Sequence, residues 1–374
     1  MEETRKSRNS SVELVKILAI VLIVISHSMP DQSPVKSVGA ISISAATTDL
    51  SSFFAALLHN MGQIGNDIFI ISSSWFLLES STINKKRVIH IIGDCFFVSV
   101  TCCLLFIMCG YNLSVVTIVK QFIPITMGNY WFVTCYLLFY IMHPLLNKVL
   151  NNTDKQTLLR IDISFVMLYA VIGLICKTEL FFFNNLIGFI GIYFCVAYCK
   201  KYLQIILLKN KKVLFWLGGI GLIGHFVLMV ITNMLGLKFN CFSHKLQQWN
   251  TIINPFFVLI AFAIVIFSMY YNFSSRIINY ISSLSLLIYM IHANRLVRDK
   301  LRFDIWGYIT RQNPNYNLIL AILIYSMLTL VVSIVLAIIY DKIFSSVVRK
   351  IFESMYNTVC IFYKKLENKI LRLK

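Results

Sequence analysis

Apolar runs of about twenty residues recur along this chain, separated by short polar or charged stretches. The first, "ELVKILAIVLIVISHSMP" from Glu13 to Pro30, is mostly Leu, Ile and Val, yet it carries a lysine near one end and a histidine near the other. A helix of about 20 apolar residues crosses the roughly 30 Å hydrocarbon layer of a bilayer. The pattern predicts about ten such spans, centred on Leu14–Met29, Phe53–Leu78, Val88–Cys109, Tyr130–Leu150, Ile161–Cys176, Leu180–Tyr198, Val213–Leu235, Ile252–Tyr271, Ile281–Leu296 and Leu318–Phe344. The expected fold class is all-α, a polytopic membrane helical bundle.

Composition points the same way. Hydrophobic residues make up 58% of the chain and charged ones 13%, with a mean hydropathy of +0.76, whereas soluble domains run nearer half and a quarter. Loops that stay in the cytoplasm are rich in Lys and Arg. With the amino terminus inside, alternate loops collect 23 of the 34 basic residues, including Arg5, Lys6 and Arg8. Both termini are therefore expected to be cytoplasmic. Much of the net charge of +18 becomes a topology signal and a grip on anionic lipids, which removes the reason to expect a nucleic-acid partner. The last external loop departs from the rule, since it holds Arg295, Arg298, Lys300, Arg302 and Arg311.

No small-residue cleavage site follows the first span, which reads as a retained helix. The ten cysteines show no metal-ligand spacing and read as small apolar fillers. Beyond Asp341 the chain becomes amphipathic, with Phe344, Val348, Ile351, Met355, Val359 and Phe362 on one side, as for a helix lying on the inner membrane surface. The domain reading is a membrane-embedded unit over 1–345 and a basic amphipathic tail over 346–374.

Candidate chemistry begins at Lys16 and His27. Eleven helical steps of about 100° return to within about 20° of the starting face and advance about 16 Å, so the two side chains share a face without touching. An ionisable group deep in a membrane is a functional candidate by default. The pair suits a long substrate with an anionic head, held at the mouth by Lys16 and delivered to His27 as a base. Asn66 and Asp67 lie in the second span, where a carboxylate costs at least about 2.5 kcal/mol on insertion scales; they are candidates to orient His27 or to bind an acceptor. Arg295, Arg298 and Arg302 recur at helical steps as a cationic stripe suited to phosphate or acidic sugars, or to snorkelling beside Asp299 and Asp304. His59, His143 and His225 read as hydrogen-bond partners between helices or at the interface. Trp75, Trp131 and Trp306 read as parts of the aromatic belt.

Four stretches together resemble a known family. Lys16, ten residues and His27 match the basic-residue-ten-histidine signature of the integral-membrane O-acyltransferases called acyltransferase family three. "NDIFIISSSWFLL" (Asn66 to Leu78) is similar to that family's second-span motif, with Asp67 and Ser73 matching and Ser74 in place of a glycine. "YWFVTCYLLFYIMHPLLN" (Tyr130 to Asn147) resembles its Trp-Phe-Leu-x-x-Tyr segment. "SLSLLIYMIHANRLVR" (Ser283 to Arg298) resembles its Tyr-Leu-Ile-His element, with Tyr289 and His292 in register.

The resemblance implies transfer of an acyl group, usually acetyl from cytoplasmic acetyl-CoA, to a hydroxyl on a cell-envelope polysaccharide or lipid-linked glycan, in the plasma membrane of a bacterium. It also implies an essential histidine. His27 would act as base or as acyl relay, both of which the sequence leaves open, and no bound cofactor is implied beyond acyl-CoA as co-substrate. One departure stands out: where some members carry Arg-x-x-Arg, this chain has only Lys85, Lys86 and Arg87, with His90 the next possible partner. A cationic grip remains, but Lys binds phosphate as a point charge without the fork of Arg. The expected substrate-binding set is Lys85, Lys86, Arg87, Asn66, Tyr289, His292, Arg295 and Arg298. The rival reading is a transporter for a glycan or lipid-linked precursor, although no inverted repeat of the kind many transporters show is visible.

Overall fold

The computed structural model describes residues 9–30, 43–172, 184–312 and 315–371, with side chains through 364. Arg5, Lys6 and Arg8 of the basic amino-terminal cluster, and Cys176 at the end of one predicted span, lie outside the described residues. Every described element is helical, from single turns to helices of 28 residues, and no strand occurs among the described residues. The principal helices are α1 (Ser10–His27), α2 (Leu50–Leu77), α3 (Lys85–Met108), α4 (Val115–Phe122), α5 (Trp131–Asn151), α6 (Lys155–Phe165) and α7 (Asn185–Lys209). They are followed by α8 (Lys211–Lys238), α9 (Pro255–Ser268), α10 (Arg276–Ser283), α11 (Ser285–His292), α12 (Arg302–Gln312), α13 (Leu318–Ile343) and α14 (Ser345–Leu371).

Six described helices, α1, α3, α5, α7, α8 and α13, are long and apolar enough to cross a membrane, and this is a multi-pass membrane protein. The expected ten is reduced because the other four segments, although helical, fall short on one count each. The α2 segment is long but carries many polar residues, from Asn60 through Ser74. The α9 helix has only 14 residues, and α6 has 11 before a wide five-residue-step turn continues it. The ninth segment is divided at Leu284 into α10 and α11.

Polar side chains at helix starts fix where the elements begin, because the first N–H groups of a helix lack internal partners. Asn9 accepts from Ser11 N–H ahead of α1 at 3.0 Å. Asp49 accepts from the Ser52 hydroxyl and from Ser51 and Ser52 N–H ahead of α2, which holds its carboxyl below the usual range. Asn84 caps α3 by accepting from Arg87 N–H at 3.1 Å.

The core is formed by α1 and α2 crossing closely, with α10, α11 and α13 on the other side of α1 and with α7 and α9 behind α2. Gly62 and Gly65 permit the crossing, since a Cβ at either would collide with Ser26, or with Ala19 and Ile23. Ser26 and His59 then bind each other across the gap: the Ser26 hydroxyl donates to His59 O at 2.6 Å and His59 Nδ1 donates to Ser26 O at 2.9 Å. His59 thus has the interhelical role expected of it. His143 does not, because its Nδ1 bonds Tyr140 O on its own helix at 2.5 Å, and His225 packs its ring against Phe257 at 4.3 Å with no hydrogen bond to either nitrogen among the described residues.

Candidate functional site

Two cavities flank the segment of α1 between Lys16 and His27. The larger, about 810 Å³, is bounded by α1, α2, α3, α5, α10, α11, the end of α13 and the start of α14. Its wall carries Lys16, Lys86, Arg87 and Arg349 together with Glu13, Asp94 and Asp341. Farther in, Ile23, Phe132 and Tyr289 make it apolar. A charged mouth leading to an apolar recess is the shape an anionic-headed, acyl-bearing molecule needs.

Two cations in this mouth, Lys16 and Arg87, have local reasons for their positions. Lys16 forms a 3.2 Å ion pair with Glu13, one turn earlier on α1, and Glu13 also accepts from the Ser282 hydroxyl on α10. The Arg87 guanidinium donates to the Tyr136 hydroxyl at 2.6 Å and lies over the rings of Tyr136 and Tyr140, at 5.8 and 5.2 Å from their centres. Such cation–ring stacking orients a guanidinium while leaving its other donors available. Lys85, the first residue of α3, is exposed and does not line the cavity.

The second cavity is far smaller, about 10 Å³, room for about one water. It is lined by His27, Ser28, His292, Val297, Arg298, Arg302, Tyr325 and Thr329. His27 and His292 meet here, Nδ1 to Nε2 at 3.2 Å, with ring centres 5.2 Å apart. His292 ends α11 and its Nδ1 lies 2.7 Å from Ile288 O. A carbonyl only accepts, so that nitrogen carries the proton. In a neutral pair, Nε2 of His292 is then an acceptor, His27 Nδ1–H donates to it, and His27 Nε2 is left with a lone pair. The chain of partners thus assigns His27 the tautomer of a base.

Tyr289 joins the two spaces. It lines the large cavity, and its ring centre is 6.3 Å from that of His27, 5.8 Å from that of His292 and 5.7 Å from that of Phe132. Lys16 and His27 are therefore not exposed along one continuous groove, as a helical wheel suggests. Lys16 lines the large space, His27 lines the small one, and Tyr289 stands at the wall.

Other expected members are distributed differently from the sequence pattern. Asp67 is fully buried, with no hydrogen-bond partner to either carboxylate oxygen among the described residues; the partner of the His27 ring is His292, and the orienting role expected of Asp67 is not seen. Asn66 donates to Gln63 at 2.9 Å along its own helix. The arginine stripe is broken up, because the chain leaves α-helical register after Asn294 and takes a wide turn over Val297–Leu301. Arg295 and Arg298 both pair with Asp299, at 3.2 and 3.0 Å. Arg302 turns inward, only 6% exposed, and donates to His27 O at 2.8 Å. Trp306 is buried too and donates to Ser28 O at 3.0 Å, and Trp75 is also buried, so neither belongs to an aromatic belt.

Sequence reasoning overlooked Glu13, Arg349 and a buried amide network behind His292. In that network Asn294 donates to the Tyr130 hydroxyl at 2.7 Å and to Gln121 Oε1 at 3.2 Å, while the Ser99 hydroxyl donates to the same oxygen at 2.6 Å. These residues are individually ordinary, and only the fold assembles them. Asp94, on the cavity wall, accepts from Tyr340 at 2.7 Å and takes two bonds from Arg349.

A family model described as an acyltransferase domain matches residues 9–338, nearly the whole chain. No curated protein matches. No solved structure matches.

Proposed function

The chain belongs to the acyltransferase 3 family, and from that membership we propose that this membrane acyltransferase moves an acetyl or other short acyl group from cytoplasmic acyl-CoA to a hydroxyl of a cell-envelope polysaccharide or lipid-linked glycan, with His27 as general base. The observation that carries this reading is the hydrogen-bonded series Ile288 O, His292, His27, which leaves a lone pair on His27 Nε2. A general base needs its lone pair free and its other nitrogen held.

In this reading the donor's phosphates sit among Lys16, Lys86 and Arg87, and the thioester reaches inward to the wall formed by Tyr289. His27 Nε2 takes the proton of the acceptor hydroxyl as its oxygen attacks the thioester carbonyl. The C–O bond forms, the C–S bond breaks, and the thiolate leaves with the proton from His27, so the imidazole returns to its starting state. The side of the bundle bearing Lys86 and Arg87 is cytoplasmic in this reading, with both termini assigned to the cytoplasm by the charge of the loops. Arg298 and Arg302, beside the small cavity, provide positive charge toward an acceptor that carries phosphate or acidic sugar, and anionic lipids surround the basic rim.

The test uses the purified full chain in lipid with acetyl-CoA labelled on the acetyl group and envelope glycan as acceptor. Label on the glycan, lost in His27→Ala while the variant remains inserted and folded, is the expected result. Transfer that persists in His27→Ala removes His27 from the chemistry, and no transfer by the wild-type chain with any glycan removes the acyltransfer reading of the donor and acceptor. Mass spectrometry of glycans from cells with and without the protein then identifies the acceptor by a shift of one acyl mass.

A further inference from the structure

The carboxy-terminal helix α14 begins after the region matched by the family model, which stops at residue 338. Sequence alone makes it a tail on the membrane surface. In the structure its first turns pack across α3 instead. Phe352 fills the space over Gly93, where a Cβ would come within 3.0 Å of the ring, and stacks near Phe96 at 5.6 Å between ring centres. His90 Nε2 lies 2.6 Å from Glu353 Oε1. One turn before Phe352, Arg349 spans Asp94 through two bonds, Nε to Oδ1 at 3.2 Å and Nη2 to Oδ2 at 2.9 Å.

This contact does more than fasten a tail. Asp94 and Arg349 both line the large cavity, on the wall that also carries Lys86, Arg87 and His90. A guanidinium has five N–H donors in a planar fork, and the two bonds to Asp94 engage Nε and Nη2 only, leaving the far edge of the fork. The Arg349 side chain is 34% exposed, against 12% for Asp94, so the carboxylate is covered while the arginine keeps an open side. A carboxylate behind a guanidinium fixes its plane before a ligand arrives, and a planar fork fixed in advance grips a phosphate with two parallel bonds. This is the geometry that the Lys85–Arg87 stretch, with a single arginine, lacks in sequence.

We propose that Arg349, delivered by α14 and oriented by Asp94, is a contact for a phosphate of the acyl donor, so that the helix beyond the matched region is one wall of the donor site. The inference rests on the donor reading above, and it adds to that reading a binding residue that no motif contains. Coenzyme A supplies the chemistry, with a diphosphate and a separate ribose phosphate at one end and a phosphate-free pantetheine arm at the other.

The experiment measures binding of coenzyme A and of pantetheine to the full chain in lipid nanodiscs, for the wild type, Arg349→Gln and Asp94→Asn. Arg349→Gln is expected to weaken coenzyme A by about tenfold or more, the scale of one charge-assisted contact, while leaving pantetheine binding unchanged. Asp94→Asn keeps the arginine and is expected to weaken coenzyme A less than Arg349→Gln does. Equal loss of coenzyme A and pantetheine in Arg349→Gln, or equal damage from both substitutions, means that the contact only holds the wall together, and the inference is overturned. Coenzyme A bound by Arg349→Gln as well as by the wild type overturns it too. A wild-type chain that does not bind coenzyme A at all overturns the donor reading itself, and that result is distinguishable because it precedes any variant.

Discussion

The two cavities beside α1 solve opposite problems. The large one has room for a sizeable molecule, about 810 Å³, and three of its cations are arranged beside acids or aromatic rings: Lys16 with Glu13, Arg349 with Asp94, and Arg87 against Tyr136 and Tyr140. The small one has almost no free volume, and its polar groups are linked by hydrogen bonds, His292 to Ile288 O, His27 to His292 and Arg302 to His27 O. Space with distributed charge suits holding a large anion, because several modest contacts sum without demanding one geometry. Confinement with a fixed tautomer suits moving a proton, for which a misplacement of about 1 Å is costly. Tyr289 lines the large one with its ring centre 6.3 Å from that of His27 in the small one, so binding and chemistry are separated by one ring.

Substitutions on the two sides should separate in kinetics, and the largest effect belongs to the small cavity. His27→Ala is expected to lower kcat by about a hundredfold to ten-thousandfold, the range of a lost general base, with donor binding retained. His292→Ala leaves His27 Nδ1–H without its acceptor and should lower kcat by about ten- to a hundredfold at unchanged donor KM, matching one hydrogen bond of about 1.5–3 kcal/mol to a charged group, here the imidazolium formed when His27 takes the proton. If its kcat equals that of the wild type, the histidine pair has no role in turnover. Across the wall the pattern inverts: Arg87→Gln is expected to raise the donor KM about tenfold with kcat nearly unchanged, and a fall in kcat alone would erase the distinction between the cavities.

The smallest effect is one of pH. Glu353 is held below the ordinary glutamate value of 4.5, chiefly by its hydrogen bond with His90. A depressed carboxyl favours the docked helix fully above that value, and the contribution is lost as pH falls below it. Protection of the 345–363 amides, as the ratio of intrinsic to observed hydrogen exchange at each pH, should therefore fall between about pH 5 and pH 3.5, and Glu353→Gln should flatten that change.

Much of this was legible in the chain. Apolar length foretold the helical class because the bilayer imposes it, and the eleven-residue step from Lys16 to His27 foretold a common face because an unbroken helix fixes angle. What the step could not reveal is that a tyrosine from α11 stands between the spaces those side chains line. His292 was marked only by resemblance, since its partner is 265 positions away. The inward turn of Arg302 was hidden because helical spacing was extended through Asn294, where the backbone changes pitch. Arg349 looked like one more basic residue of an amphipathic tail, and only the packing of Phe352 over Gly93 gives it a site.

The wide turn over Val297–Leu301 has a consequence for the tolerance of this segment to changes in length. A turn closed at five residues holds one more residue than the helix would otherwise use, which rotates everything downstream by about 100°. Deleting Lys300 would let the backbone relax to ordinary pitch, swing the Arg302 guanidinium off the His27 carbonyl and pull the Trp306 indole from Ser28. Between Asn294 and Trp306, then, the number of residues matters as much as their identity.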